Sequence, residues 1–532
     1  MRKVIFILTL FWQFAWATPD WSQNARVPID GRKNILELSE KNWLEHIRAG
    51  QIHTQNYPVD ITGALPPLAP TEKLISVDKL MRDLGLQPYP AETDDGVYSV
   101  AYPNGRRPTY GMGFGTLNRD NATGFTFSCA ACHSSSLFGK TVLGLTNRAT
   151  RAQDFFLRTK KWRPIYNPVV FQALTDATTA ETNLMTSALK SLDRVAAKKP
   201  LQLGLDTSLA QVALSLNLRE DDAYATPNLK LQQHPRPDAI LDHDPADSKP
   251  AVWWNVKYKN KWLSDGSLVS GNPIYTNILW NEIGRGSDLH SLEDWLNKNS
   301  QIIDELTAAV FASEPPRFTD FFDAEKFDLS GAQRGEIIFN NTCAECHGVY
   351  QKAWSAPNAM SLNATEKLRT THVIPRPNTP IEDVGTDPYR AHGMRSLEKL
   401  NRLAISQKHN MRVEPHEGYV PPPLVGIWAR WPYLHNDSIP NLCELLTPGP
   451  QRVSQFYIGP AADRNLDFDS NCNGYPTGKK TPKKWRKSQF LYDNSRVGLS
   501  NRGHDEDIFS SNGVSKLTNA DRRELILFLQ TL

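Results

Sequence analysis

The chain has 532 residues, and its 60 Lys and Arg against 57 Asp and Glu leave a net charge of +3. That balance excludes a nucleic-acid binder driven by phosphate neutralisation, which needs concentrated basic charge. The length suits two to four domains of about 150 residues, a mean hydropathy of −0.47 describes a soluble chain, and 14 Trp with 37 Pro describe a packed protein with much irregular backbone.

The N-terminus carries Arg2 and Lys3, an apolar run from Val4 to Phe14, and Ala15-Trp16-Ala17 before Thr18-Pro19. This is the pattern of a secretory signal peptide over residues 1–17, with an uncleaved anchor as the alternative. No later run approaches the roughly 18 apolar residues of a span. The expected mature protein is therefore periplasmic or secreted from a bacterium, without stable membrane insertion.

Residues 18–105 read as an N-terminal extension packed on the remainder of the chain, with a helical patch near Thr71 to Leu86 and an extended connector at Leu65 to Pro70. From Tyr110 the chain is Gly-rich, which lets backbone pass close to a flat cofactor, and it leads into Cys129, Cys132 and His133. Residues 150–200 read as helical, 217–250 as a Pro-punctuated loop, Ala251 to Ser267 as a Trp-rich segment, and Ser291 to Ala312 as helix. A second unit begins near Asp328, with Ser330 as candidate N-cap of a helix that ends before Cys343, Cys346 and His347. Gly335 and Phe339 share a face of that helix. At the C-terminus Thr518 and Asp521 have capping-box spacing, and Leu525, Phe528, Leu529 and Leu532 form an apolar stripe.

The two C-x-x-C-H units carry the chemistry. That spacing is the attachment signature of haem c: two thiols add to the two vinyl groups, and the next residue places imidazole under the iron. Four cysteines holding zinc would leave both histidines unexplained. A thiol switch would explain one Cys pair without its histidine, and disulfides would close tight, strained loops. The expectation is two covalently bound haem c, with Cys129, Cys132, Cys343 and Cys346 binding the cofactor and His133 and His347 as iron ligands. Cys443 and Cys472 remain, either joined in a disulfide or as two buried thiols.

Several segments now resemble one family. Gly426 to Pro448 (GIWARWPYLHNDSIPNLCELLTP), Asp383 to Gly393 (DVGTDPYRAHG), Trp253 to Gly266 (WWNVKYKNKWLSDG) and Leu499 to Phe509 (LSNRGHDEDIF) are similar to di-haem cytochromes related to bacterial cytochrome c peroxidase. More narrowly, they resemble the rubber-oxygenase-like branch. The resemblance, from about Tyr110 to Leu532, implies a mainly α fold of two cytochrome-c-like haem domains, at 106–325 and 326–532, with long irregular loops and few short strands. One haem would be six-coordinate and transfer electrons, and in enzymatic members the other offers an open site for peroxide or dioxygen. By position His504 matches the distal histidine of the second haem, with Met394 and Met411 as rivals. His435 fits a structural hydrogen-bonding role near the second haem or its propionates, and Trp428 and Trp431 fit packing on or between the haems. The methionine that follows the equivalent of His435 in the peroxidases has no counterpart here, which weakens the peroxidase reading. No distal ligand stands out for the first haem, since His234 and His243 lie in a polar loop; Trp253 to Leu268 would line its open face. Two readings stay open: an oxidoreductase, peroxidase- or dioxygenase-like, in which the His133 haem reacts with peroxide or O2, and a pure electron-transfer cytochrome with both haems six-coordinate. Either implies a periplasmic electron donor or acceptor and no nucleic acid.

Overall fold

The computed structural model describes residues 57–58, 77–100, 102, 106–119, 121–164, 167–175, 177–219, 241, 245–269 and 272–532. The expectations for residues 1–17, the connector at 65–70, most of the loop at 217–250, His234 and His243 fall outside them. The chain is about 42% helical, in agreement with a mainly α fold. Among the described residues no helix is long and apolar enough to cross a membrane.

Helices α1 (Val77–Asp83), α2 (Ala152–Trp162), α3 (Pro168–Thr175), α4 (Thr179–Asp193) and α5 (Ser208–Leu216) form the first half with α6 (Pro273–Gly284), α7 (Leu289–Lys298) and α8 (Ser300–Ala312). The second half is bounded by α9 (Leu329–Thr342) and α10 (Asn519–Gln530), with mostly short turns between them. Local signals set the helix starts. Thr178 and Glu181 close a capping box on α4, and Thr518 and Asp521 close one on α10. The N-cap of α9 is Asp328, whose carboxylate accepts from the Gly331 N–H at 2.8 Å, not Ser330. Asp is among the strongest N-cap residues, and its position two residues earlier adds Leu329 and Ser330 to the helix.

The strands are short. β1 (Tyr57–Pro58), β2 (Phe114–Arg119) and β3 (Ala122–Phe127) make a three-stranded antiparallel sheet in the order β1-β3-β2. β4 (Ser134–Leu137) and β5 (Lys140–Leu143) form a hairpin directly after the first motif. The Gly-rich lead-in is thus a hairpin. Gly113, at φ +91°, is pressed against the motif itself, since a Cβ there would lie 2.2 Å from the Ala131 nitrogen. Its glycine serves close packing of backbone on backbone.

Three apolar clusters hold the molecule together. One, around Phe114, Phe125, Phe155 and Leu192, packs the first sheet on α2 and α4. A second, around Trp280, Leu292 and Met394, includes Cys129 at its edge. The third, around Phe339, Trp428, Tyr475 and Phe528, includes Cys343 and also takes in Leu137, Val142 and Trp254 from the first half. Tyr98, in the N-terminal segment, donates to Asp320 at 2.7 Å and so ties that segment to the C-terminal half.

The α9–α10 crossing frames the second motif. Gly335 lets the helices touch, because a Cβ there would lie 2.0 Å from the Glu524 carbonyl oxygen. Gly335→Ala gains about 1 kcal/mol of helix propensity, but that contact cannot relax without moving α10. The expected net effect is a loss toward the upper end of the roughly 1–3 kcal/mol typical of overpacking. Ile337→Ala, on the same helix but 62% exposed, should stay within about 0.5 kcal/mol of the parent, and a denaturant titration of both variants checks the contrast.

Candidate haem-binding sites

Both C-x-x-C-H stretches fold into one tight helical turn. In each, the histidine main-chain N–H donates to the first cysteine's carbonyl, His133 to Cys129 at 3.1 Å and His347 to Cys343 at 3.0 Å. Residues three and four apart in such a turn share a face, so two thiols and an imidazole are presented together. The first turn sits between β3 and β4, and the second follows directly from α9.

Each imidazole is aimed by a main-chain carbonyl. His133 Nδ1 lies 2.8 Å from the Ala251 oxygen, and His347 Nδ1 lies 2.7 Å from the Pro422 oxygen. A carbonyl can only accept, so Nδ1 carries the proton in both rings and Nε2 is left with its lone pair. Burial pushes His347 down to about 4 and also lowers His133. Both rings are therefore neutral at physiological pH, the form that binds a metal.

The thiols point away from redox switching. All four are unbonded in the structure. Burial raises all four pKa values, Cys132 and Cys343 to about 12. A disulfide exchanger needs the opposite shift. Nor do the two pairs converge: among the described residues, no three His, Cys, Asp or Glu come together to hold a metal ion.

Across from His347 stands His504, with ring centroids 5.9 Å apart. Two metal–imidazole bonds of about 2 Å each, back to back, need centroids roughly 6 Å apart. The loop that presents His504 is firmly built. His504 has φ +60° and its N–H donates to the Val384 oxygen at 2.8 Å. Gly503 abuts Gly385, with a Cβ there 2.3 Å from its carbonyl carbon, and Arg452 donates to the Gly503 oxygen at 2.8 Å. Burial, reinforced by His347, pushes His504 down to about 3, so it too is neutral. Its Nδ1 is buried without a partner. Two thiols and an imidazole per motif, with a second neutral imidazole facing His347, fit haem c.

The other distal candidates are placed elsewhere. Met394 and Met411 are buried in the cluster that reaches Cys129, whereas Cys343 packs on a different one. His435 stacks on Tyr419 at 4.1 Å, and burial together with Arg390 and Lys249 keeps it neutral, with a pKa of about 3. Trp428 is buried and donates to the Pro316 oxygen at 2.8 Å. Trp431 lies under the Arg148 guanidinium at 4.2 Å.

The first motif is surrounded differently. The aromatic ring beside the His133 imidazole is Trp253, at 5.7 Å. Main-chain bonds run from Gly144 N–H to the His133 oxygen at 2.7 Å and from Trp253 N–H to the Gly144 oxygen at 3.0 Å. The same short segment reaches the second motif, where Asn255 donates to the Pro423 oxygen at 2.7 Å and Trp254 to the Val425 oxygen at 2.9 Å. The carbonyls of Ala251 and Pro422 are working parts that sequence reasoning missed, since a main-chain acceptor has no residue signature.

Comparison with known proteins agrees with this geometry. The chain is 23% identical over 486 residues to the uncharacterized protein y4iJ of Sinorhizobium fredii, covering 76% of each. It is 28% identical over 199 residues to the uncharacterized protein y4iM of the same organism, covering 36% of this chain and 44% of that protein. Residues 418–457, which include Pro422 and the WARWPYLHND stretch, match the family model described as RoxA-like, cytochrome c-like. A cytochrome c-like domain implies covalently bound haem c, and this match supports a RoxA-like cytochrome c family for the chain.

Proposed function

We propose that the protein is an exported di-haem c-type cytochrome that acts as an oxidoreductase. The group held by Cys129, Cys132 and His133 is the site for peroxide or O2, and the group held by Cys343, Cys346 and His347, with His504 as sixth ligand, transfers electrons to or from a periplasmic partner. The observation that carries this reading is the inequality of the two histidines. His347 faces a second neutral imidazole at 5.9 Å, while His133 has Trp253 beside it.

Bound haem supplies one-electron chemistry and, where its sixth position is open, a binding place for a small oxidant. The chain's own residues anchor and tune it. The cysteine pairs tether the macrocycle, and the Ala251 and Pro422 carbonyls hold the Nδ1 protons and fix the ring directions. The Arg452-braced loop holds His504 in place.

A pure electron-transfer cytochrome remains the second reading. It is favoured by Met394 and Met411, two thioethers in the apolar cluster that reaches Cys129. EPR of the resting, fully matured protein separates the two. One high-spin and one low-spin ferric signal is the expected result. Two low-spin signals that persist on half-reduction would leave only electron transfer, and protein without haem that survives denaturing electrophoresis would overturn both.

A further inference from the structure

The oxygen that aims His347 belongs to a stretch that cannot hold itself. Pro421, Pro422 and Pro423 follow one another, and proline has no N–H to donate. Donors from elsewhere must therefore fix the direction of these carbonyls. The ring also locks φ of Pro423, so one soft torsion, ψ of Pro423, separates its carbonyl from that of Pro422. Holding the Pro423 oxygen narrows where the Pro422 oxygen can point.

The residues beyond the prolines are tied down separately. Leu424 N–H donates to the Tyr350 hydroxyl at 2.5 Å, and that hydroxyl donates to the His347 main-chain oxygen at 2.9 Å. Trp254 donates to the Val425 oxygen at 2.9 Å, and Gly426 N–H to the Leu532 oxygen at 2.9 Å. On the Pro423 oxygen itself the Asn255 amide donates at 2.7 Å, with the Arg430 guanidinium farther off at 3.1 Å.

Asn255 is placed for that one bond. It is only 3% exposed. A carbonyl can only accept, so the amide nitrogen is the atom that faces Pro423. The amide oxygen is buried and has no partner among the described residues. A half-satisfied amide in an enclosed place costs stability that a leucine of similar size would not, so the donor is what the position gains from asparagine. The bond also reaches across the molecule. Asn255 lies in the turn Trp253–Tyr258 of the first half, while the oxygen it holds adjoins Pro422, the acceptor for His347 in the second.

We propose that Asn255 is a positioning residue for the second motif. Its amide, supplied from the first half of the chain, holds Pro423 and through it keeps the Pro422 carbonyl in line with the His347 Nδ1 proton. The inference rests on the proposed di-haem reading. A well-aimed acceptor on Nδ1 raises the basicity of Nε2, and a stronger donor to the iron favours ferric over ferrous. Without the Asn255 bond the Pro423 torsion is freed, the bond on Nδ1 slackens, and the ferrous state gains.

The test is spectroelectrochemistry of the matured full-length protein, with the midpoint of each haem followed at its own absorbance. Asn255→Leu should keep both haems covalently attached and shift the ferric/ferrous equilibrium of the low-spin haem about tenfold toward ferrous, a midpoint about 59 mV higher for one electron. The midpoint of the other haem should stay near the parent. Asn255→Ala removes the same donor without bulk and should give the same shift, so a leucine that does not fit still leaves a readable result. Asn255→Gln keeps a donor and should move the midpoint less than half as far. An unchanged or lowered midpoint in the alanine variant would overturn the assignment, even with a loss of stability, which would mark Asn255 as a packing residue. Equal shifts at both haems, or a Gln variant displaced as far as the alanine one, would overturn it too. A parent protein that matures without covalent haem would instead overturn the di-haem reading itself.

Discussion

On the proposed di-haem reading, His504→Ala is expected to convert the haem at His347 from low-spin to high-spin while both haems stay covalently attached. Attachment depends on Cys343 and Cys346, which the substitution leaves in place. The sixth position depends on a neutral imidazole 5.9 Å from the His347 ring, which it removes. No methionine is poised to substitute, because Met394 and Met411 are buried in a different apolar cluster from the one packed on Cys343. The change should be complete: one low-spin EPR signal lost and a high-spin signal gained, with the other haem unaltered. Gly503→Ala provides a control that leaves the imidazole intact. It forces a Cβ into a φ of +80° and to 2.3 Å from the Gly385 carbonyl carbon, in a region that costs L-residues roughly 1–2 kcal/mol. The displaced loop should give a mixture of the same two spin states. If His504→Ala left the low-spin signal as it was, the assignment of His504 as a ligand would fall.

This asymmetry between the two C-x-x-C-H motifs was only partly legible in the sequence. The two C-x-x-C-H units, the α9–α10 frame and the Thr518–Asp521 cap could be read because each depends on residue types at fixed short spacings. His504 could be singled out only through a resemblance. What positions it is Val384 and Gly385, more than a hundred residues away, and no local pattern links those segments. The same holds for the carbonyls of Ala251 and Pro422: any residue supplies such an acceptor, so the bonds that orient both imidazoles leave no trace in composition. The separations of Met394 and Met411 from His347 allowed ligation, yet both side chains are drawn into the cluster with Trp280 and Leu292. The Gly-rich lead-in also carries the apolar alternation Phe125, Phe127 of β3, a strand signal that the glycines around it obscure.

The second large effect concerns Cys443 and Cys472, which are joined, with Cα atoms 4.9 Å apart and a sequence separation of 29. Closing a loop of that length removes about 3–4 kcal/mol of conformational entropy from the unfolded chain. The bridge also sits where the family-matched segment meets its support. Leu442 N–H donates to the Cys472 oxygen at 2.8 Å. The next residue, Asn473, donates to the Trp428 oxygen at 2.8 Å and the Tyr433 hydroxyl at 2.7 Å. These contacts belong to the folded state and remain when the bridge is cut, so the loss falls mainly on the unfolded side of the balance. A Cys443→Ala, Cys472→Ala double variant is therefore expected to mature with both haems and an unaltered EPR spectrum. It should unfold about 3–4 kcal/mol more easily, and the parent in reductant should behave alike. A double variant as stable as the parent would mean that residual structure already confines this loop in the unfolded ensemble without the bridge. A double variant with an altered low-spin signal would mean that the bridge positions the WARWPYLHND segment rather than merely shortening the unfolded chain.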